Sequence, residues 1–435
     1  MKQTPTINSR LRMLLAQTSC SGSELARAVN DLGAEVGLDL NYQRASVSQW
    51  ANGTVPRDPV PALVAEAFSR RLGRALTPAD VGFPPRRRPE AGEYPRPPAQ
   101  GSVYRLADLD ELLEEGLHQA AWLPRRKSAR IGSEHVKCIA LMTEEFSRAD
   151  HRGESSSSLK ALTSFYRSAV CVWLSAPASA ALRAALIAEA ANLAYIAGYL
   201  QVDQRRHGAA QQWYRQAAQL AQACGESRTL VVTLRAMSVQ ALDLGHVDYA
   251  VRLAERAVGQ SKGCDPATSA FLLGQLSQAL ATVGRRQEAL AALRDAESQV
   301  RSAPAAPTAI GFYHPAGFVH QRARTRLQLG DTKGAIADLQ LSSKLRSEAE
   351  RRTRGLVLAE LGELLMEQGV FDAACESWGK FVQVRAGTQS QRLAHAGESM
   401  VRALLPYRNR RWAARVLELH REAKLRAAAS PAQPR

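Results

Sequence analysis

The stretch that decides the fold is ANLAYIAGYLQVDQRRHGAAQQWYRQAAQLAQACGE, residues 191–226. Small and large residues recur in it at helical spacing: Gly198, Ala210 and Ala217 are small, whereas Tyr214 is large. Small side chains let a neighbouring helix approach closely, and an aromatic ring fills the space beside them. The stretch therefore predicts two helices that pack against each other through these positions.

The same spacing returns along the rest of the chain. A glycine followed five residues later by an alanine recurs at near-equal intervals, at Gly245/Ala250, Gly284/Ala289, Gly330/Ala335 and Gly369/Ala374. Glycine readily adopts the left-handed conformation that ends a helix, and the alanine marks a close crossing of two helices. With Ala210 before them and Ala413 after, these "key alanines" lie 40, 39, 46, 39 and 39 residues apart.

Recurrence at a fixed interval predicts a helical repeat array, here over residues 180–426. The small–large–small pattern of its first helix pair resembles that of TPR repeats, although the interval is nearer 39 residues than the roughly 34 of an ordinary TPR. We therefore expect an all-α protein whose larger part is a TPR-like α-solenoid. The alternative is an irregular helical bundle in which the near-equal intervals are coincidental.

A solenoid of helix pairs has a concave face, lined by the first helix of each pair. In this register the polar residues facing it are Asn192, Tyr195, Tyr199, Arg235, Gln278, His320, Arg324 and Glu363. Side-chain amides can bind a peptide backbone and arginines can bind a carboxylate. We therefore expect a peptide, small-molecule or protein ligand in this groove; the alternative is an ordinary polar groove filled with water.

A separate block, residues 9–83, precedes the array. Ser21 and Glu24 have the spacing of a capping box at a helix start. The run YQRASVSQWANGTVPR (42–57) follows, in which Val47 and Trp50 are three residues apart and are expected to point inward. The residues predicted to face outward and contact DNA are Gln43, Arg44, Ala45, Ser46, Ser48, Gln49, Asn52 and Arg57.

These outward residues suit double-stranded DNA, because a helix of this length fits the major groove. Arg44 can pair with guanine and Gln49 with adenine, while Asn52 and Arg57 suit phosphate contacts that set the register. The whole chain carries a formal net charge of +16, which favours an anionic partner. We therefore expect an N-terminal helix-turn-helix DNA-binding domain and, as for other proteins of this kind, a homodimer.

The run RASVSQWANGTVPR resembles the recognition helix of Xre-type, phage-repressor-like regulators. Together with residues 191–226, it makes the chain similar to an actinobacterial family of Xre-like regulators with TPR-like C-terminal regions. The resemblance implies a transcriptional repressor of development or secondary metabolism, with Arg44, Ala45 and Gln49 at base-reading positions. One departure is GAEVGLDLN (33–41), which lengthens the interval between the second and third helices. The alternative function is therefore a TPR-type interaction scaffold whose helix-turn-helix does not read DNA.

The remaining sequence predicts neither an enzyme nor a cofactor or metal site. The six cysteines form no CxxC pair, the histidines lack metal-binding spacing, and no catalytic motif occurs; His207 and His246 are interpreted as helix-end residues. Residues 84–102 are Pro-rich and predict a linker, and 103–179 predict connecting helices. The chain starts without an apolar leader, and charged residues interrupt its most apolar stretch, so we expect a cytoplasmic protein without a membrane span.

Overall fold

The computed structural model describes residues 7–84, 102–106, 131–302 and 314–429. Over these ranges the regular structure is helical, with no β-strand, which confirms the all-α prediction. The chain divides into two compact units, one of Met1–Ile139 with Phe165–Arg256 and the other of Ala140–Ser164 with Ala257–Arg435. The predicted linker, 84–102, lies outside the described residues except at its two ends.

The N-terminal block contains α1 (Ser9–Gln17), α2 (Gly22–Glu35), α3 (Arg44–Ala51) and α4 (Val60–Leu72). The Ser21–Glu24 capping box is present at the start of α2, as the sequence predicts. Apolar residues of all four helices form one core, which Val81 and Phe83 complete. The helices are thus fixed to each other by burial of their apolar faces.

The helices that follow are α5 (Ser133–Arg152), α6 (Ser155–Phe165), α7 (Cys171–Ser175) after a π-helical turn at Tyr166–Val170, α8 (Ala180–Asp203), α9 (His207–Cys224), α10 (Ser227–Asp243), α11 (Val247–Gly259), α12 (Pro266–Thr282), α13 (Arg286–Ser302), α14 (Pro315–Gln328), α15 (Thr332–Leu345), α16 (Arg351–Glu367), α17 (Phe371–Arg385), α18 (Gln391–Leu404) and α19 (Arg411–Ala429). From α8 onward consecutive helices form pairs: α8/α9, α10/α11, α12/α13, α14/α15, α16/α17 and α18/α19. The predicted repeated arrangement of helix pairs is therefore present. The predicted connecting region 103–179 is only partly helical where it is described, because residues 102–106 are not in a helix.

The glycine–alanine pattern performs the roles expected of it. Gly245, Gly284, Gly330 and Gly369 each follow the first helix of a pair, with φ values between 73° and 84°, a conformation that glycine adopts without steric cost. All six key alanines are fully buried. In the first pair the residue at the corresponding position is Arg205, which adopts the same left-handed conformation, with φ at 58°, although it is not a glycine.

The close crossings behind this pattern can be measured. A Cβ added to Gly198 would lie 2.5 Å from the ring of Tyr214, and one added to Gly362 would lie 2.3 Å from that of Trp378. Both rings are buried, so each aromatic side chain occupies the space that glycine leaves. The small–large–small pattern that Gly198 and Tyr214 predict is confirmed at the level of atoms.

Helix α8 is long and apolar enough to span a membrane, and among the described residues it is the one helix that passes this test. Half of its apolar window is buried inside the protein. Leu186, Leu193 and Leu200 of α8 are buried, as in the central helix of a folded domain.

Candidate nucleic-acid interface

Helix α3 presents a polar face to solvent because its apolar residues are anchored inward. Val47 and Trp50 are buried in the N-terminal core, and Tyr42 meets the ring of Trp50 edge to face, with centroids 5.0 Å apart. Gly22 at the start of α2 lies against α3, because a Cβ there would be 3.4 Å from Cγ of Arg44. The inward contacts fix which side of α3 remains outside.

Most of the residues predicted to contact DNA are on that outer side. Those with exposed side chains are Gln43, Arg44, Ala45, Ser48, Gln49, Asn52 and Arg57, whereas Ser46 is half-buried. Ser46 Oγ accepts a long hydrogen bond of 3.5 Å from the backbone N–H of Gln43. Its first role is therefore to cap α3 rather than to reach a base.

Two further polar side chains in this set already have partners within the protein. Ser48 Oγ donates to the carbonyl oxygen of Arg44 at 3.1 Å, and Asn52 Oδ1 accepts from Arg12 at 2.6 Å. The Asn52 contact brings the guanidinium of Arg12, on α1, to the C-terminal end of α3. Sequence reasoning missed Arg12, and its exposed position on α1 gave no signal that it would lie there.

Arg44 and Arg57 carry the charge of this surface. Within the described part of the chain, neither side chain forms an ion pair or a hydrogen bond. Both guanidinium groups are exposed, so their donors are available to an anionic partner. With Arg12 they place three arginines around α3.

The long connection between α2 and α3 is held by specific contacts. Helix α2 ends at Glu35, and Gly37, two residues later, has a φ of 80°; the Leu38 N–H donates back to the Gly33 carbonyl at 2.8 Å. The side chain of Asn30 then forms two hydrogen bonds with the backbone of Tyr42, at 2.8 and 3.0 Å. The extra residues of this connection are therefore fixed, and α3 starts from a defined point.

On another side of the block, α4 packs against the helix pair α10/α11 of the same unit. Glu66 Oε1 lies 3.2 Å from Nε2 of His246, and both side chains are buried. The ring of Tyr104 stacks on that of His246, with centroids 5.3 Å apart. His246 does lie at a helix end, directly before α11, but its ring also bonds a carboxylate 180 residues away, a partner that the helix-end interpretation did not include.

Arg70 extends this contact into a buried charge network. Its guanidinium bonds Glu66 and, through two nitrogens, Glu35, each at 2.8 Å. Burial alone lowers the pKa of Arg70, but the hydrogen bonds and charges of Glu35 and Glu66 outweigh burial and raise that pKa above its usual value. The network keeps every charge in it paired.

A short extended segment, Ser102–Leu106, lies on the first helix pair. The side chain of Gln211 accepts from the backbone N–H of Arg105 at 3.0 Å and donates to its carbonyl oxygen at 2.5 Å. Gly208 is required there, because a Cβ would lie 1.7 Å from the Ser102 carbonyl oxygen. The chain leaving the predicted linker is therefore bound to α9 and does not enter a helix at residue 103 as predicted.

The predicted groove residues of the first unit lie in a packed environment. Tyr195 is buried, with its ring centroid 6.0 Å from that of Tyr214 and 6.3 Å from that of Tyr199. Asn192 accepts from Thr229 Oγ1 at 2.6 Å and donates to Glu189 at 3.2 Å. Arg235, the fourth member, is half-buried. Asn192 therefore links α8 to α10.

In the second unit, the structure brings His320 and Arg324 together around Glu360. His320 Nε2 lies 2.9 Å and Arg324 Nε 3.2 Å from oxygens of that carboxylate. Burial raises the pKa of Glu360, but Arg324 and His320 outweigh it and hold that pKa below its usual range. Burial also lowers the pKa of His320. Two predicted ligand groups are thus already paired with a glutamate that sequence reasoning missed.

The other predicted groove residues of this unit are Gln278 and Glu363. Gln278 is nearly buried, and the pKa of the half-buried Glu363 is raised by burial and by its neighbours Glu360 and Glu367. In the described ranges no cluster of three or more His, Cys, Asp or Glu side chains could hold a metal ion. The pairing of Arg324 and His320 means that a ligand carboxylate would have to compete with Glu360.

Comparison with known protein families gives a match on the N-terminal block. Residues 11–84 match a family model described as the SP15 N-terminal domain. That range covers nearly all of α1 to α4 and the closing turn with Val81 and Phe83. No curated protein matches the chain.

Proposed function

We propose that the chain is a DNA-binding transcriptional regulator, acting as a repressor of development or secondary metabolism. The N-terminal block binds double-stranded DNA through α3, and the helix-pair array senses a peptide, small-molecule or protein ligand. The similarity of RASVSQWANGTVPR to Xre-type recognition helices supports this proposal.

The observation that carries the proposal is the outer face of α3. Arg44, Gln49 and Arg57 are exposed and lie on a helix fixed from behind by Val47 and Trp50. Arginine and glutamine can each form two hydrogen bonds to a purine edge in the major groove. Arg12 and Arg57 flank the helix and suit phosphate contacts, which set register without reading sequence.

The test is a footprint and a gel-shift titration of the full-length protein on the DNA upstream of its own gene. We expect sequence-selective protection, and affinity that falls steeply as salt rises. Arg44→Ala should abolish selectivity at one base position, whereas Arg294→Ala, an exposed arginine on α13, should leave binding unchanged. Equal binding to all sequences, or none, would contradict the proposal.

The second candidate is an interaction scaffold that does not read DNA. The eight residues between α2 and α3 favour it, since they place α3 differently from a short turn. Purification of the tagged protein that recovers a stable protein partner, together with no footprint, would support the scaffold instead.

A further inference from the structure

The last two helix pairs carry a partly exposed aromatic cluster at their turns. The rings of Phe371, Tyr407 and Trp412 lie 5.1–5.5 Å apart, and those of Phe371 and Trp412 are parallel within 3°. Tyr407 is 38% exposed, and the neighbouring Val370 and Leu405 are 47 and 46% exposed. Large apolar groups exposed together, rather than singly, mark an interaction surface.

This cluster lies where the repeat departs from its own pattern. The four helix-pair turns that carry the glycine are short. The turn before Ala413, in contrast, has the sequence LPYRNRR (405–411) and begins with a 3-10 helix, Leu405–Tyr407. Arg408 replaces the glycine and has an ordinary φ of −55°. The turn 405–411 therefore carries aromatic and basic residues that the packing of the helix pairs does not require.

The turn beside the cluster carries positive charge. Arg408, Arg410 and Arg411 are exposed, and across the described ranges none of them has an ion-pair partner. Two nearby glutamates, Glu418 and Glu422, are already paired with Arg421 and Arg426. We call Val370, Phe371, Leu405, Tyr407 and Trp412 with these three arginines the aromatic–arginine patch.

The chain itself contains a segment of complementary chemistry. Residues 107–117, ADLDELLEEGL, hold five acidic residues, four leucines and no basic residue. Leucine side chains match an exposed aromatic surface, and carboxylates match arginines. Tryptophan, tyrosine and arginine are also the residues that most often dominate binding energy at interfaces.

We infer that the aromatic–arginine patch of one copy binds residues 107–117 of a second copy. The leucines of the segment cover the rings, and its carboxylates pair with Arg408, Arg410 and Arg411. Each copy carries both partners, so two equivalent contacts close a symmetric dimer. The proposal does not depend on DNA binding.

The test is sedimentation equilibrium of full-length protein over a wide concentration range. We expect a monomer–dimer equilibrium in the wild type, with a dissociation constant that rises as salt is added. In the triple variant Arg408→Glu/Arg410→Glu/Arg411→Glu the dissociation constant should be at least about tenfold higher. Exposed arginines on α19 outside the patch provide the control: Arg415→Glu/Arg421→Glu should change the constant by less than about twofold. Circular dichroism checks that each variant is folded.

A charge swap makes the assignment specific. Adding Glu111→Lys/Glu114→Lys/Glu115→Lys to the triple variant should restore dimerisation to within about threefold of the wild type, whereas either triple variant alone should be weak. A synthetic peptide of residues 107–117 should dissociate the wild-type dimer. A monomer at every concentration, a dimer insensitive to the patch variant, or a charge swap that fails to restore dimerisation would each overturn the proposal.

Discussion

Removal of Glu66 tests whether the N-terminal block is fixed to the array by its buried contact. In the variant Glu66→Ala, the ring of His246 stays buried against Tyr104 but loses the carboxylate at Nε2. Arg70 loses one partner and retains Glu35 through two bonds. The main cost is therefore the imidazole, because the guanidinium remains paired.

The magnitude follows from these contacts. A buried polar group left without its partner costs about 1–3 kcal/mol, and breaking a buried ion pair outright costs about 3–5 kcal/mol. Since Glu35 still pairs with the partly exposed Arg70, no ion pair is broken outright and the unpartnered imidazole sets the cost, so we expect a loss of about 1–3 kcal/mol. The control Glu376→Ala removes an exposed pair with Lys380 and should cost less than about 1 kcal/mol.

Hydrogen exchange of the α4 amides is the suitable assay, because it reports the local free energy of opening. Protection across α4 should fall in Glu66→Ala and stay unchanged in the control. The double variant Glu66→Ala/His246→Ala should cost less than the sum of the two single variants, since the two side chains act on each other. Additive costs, or α4 protection equal to the control, would refute the docking argument.

Three other results are expected. Arg44→Ala should cost about 1–3 kcal/mol of operator binding at one base position, with stability unchanged, as measured by titrations on single-base variants of the site; uniform weakening would make Arg44 a phosphate contact. Ala250→Trp should lower the melting temperature, because this fully buried key alanine leaves no room for a ring and overpacking costs roughly 1–3 kcal/mol. Burial raises the pKa of Glu350, but His314 and Arg346 outweigh burial and lower that pKa to about 2. Ionised Glu350 therefore stabilises the fold fully at pH values above the pKa of an unfolded glutamate, and this stabilisation is lost as pH falls towards 2. Urea unfolding at several acidic pH values should therefore show a shallower loss in Glu350→Gln than in the wild type.

The repeat could be predicted because its signal is local and recurs. Aligning the chain on the key alanines also shows a recurring position twelve residues before each of the first five, which the sequence analysis recognised only at Gly198. That position is small and buried in the first five pairs, at Gly198, Ser238, Ser277, Ala323 and Gly362. The two serines each donate to the carbonyl oxygen of the key alanine, so a close crossing can include a hydrogen bond.

The contacts around the candidate interface could not be predicted in the same way. The hydrogen bonds between the Asn30 side chain and the Tyr42 backbone depend on the path of the chain after α2. Sequence gives no sign of them, because a polar residue within a helix usually indicates an exposed face. The Glu66–His246 pair joins residues 180 positions apart, and nothing in the spacing of either residue indicates the other. His320 and Arg324 are predicted to face a ligand groove, but their shared partner Glu360 lies on α16, so the array itself supplies a partner for each of them.

The buried contact also bears on how a ligand could act on the DNA binding that we propose. Residues 84–102 are predicted to form a Pro-rich linker, which would be the covalent route between the N-terminal block and the array. In the first unit, however, His246 lies in the turn between α10 and α11, directly against Glu66 of α4. Asn192 on α8 is hydrogen-bonded to Thr229 on α10. A ligand that displaced this bond would act on the helix leading to His246, and hence on the block that carries α3, without any signal passing through the linker.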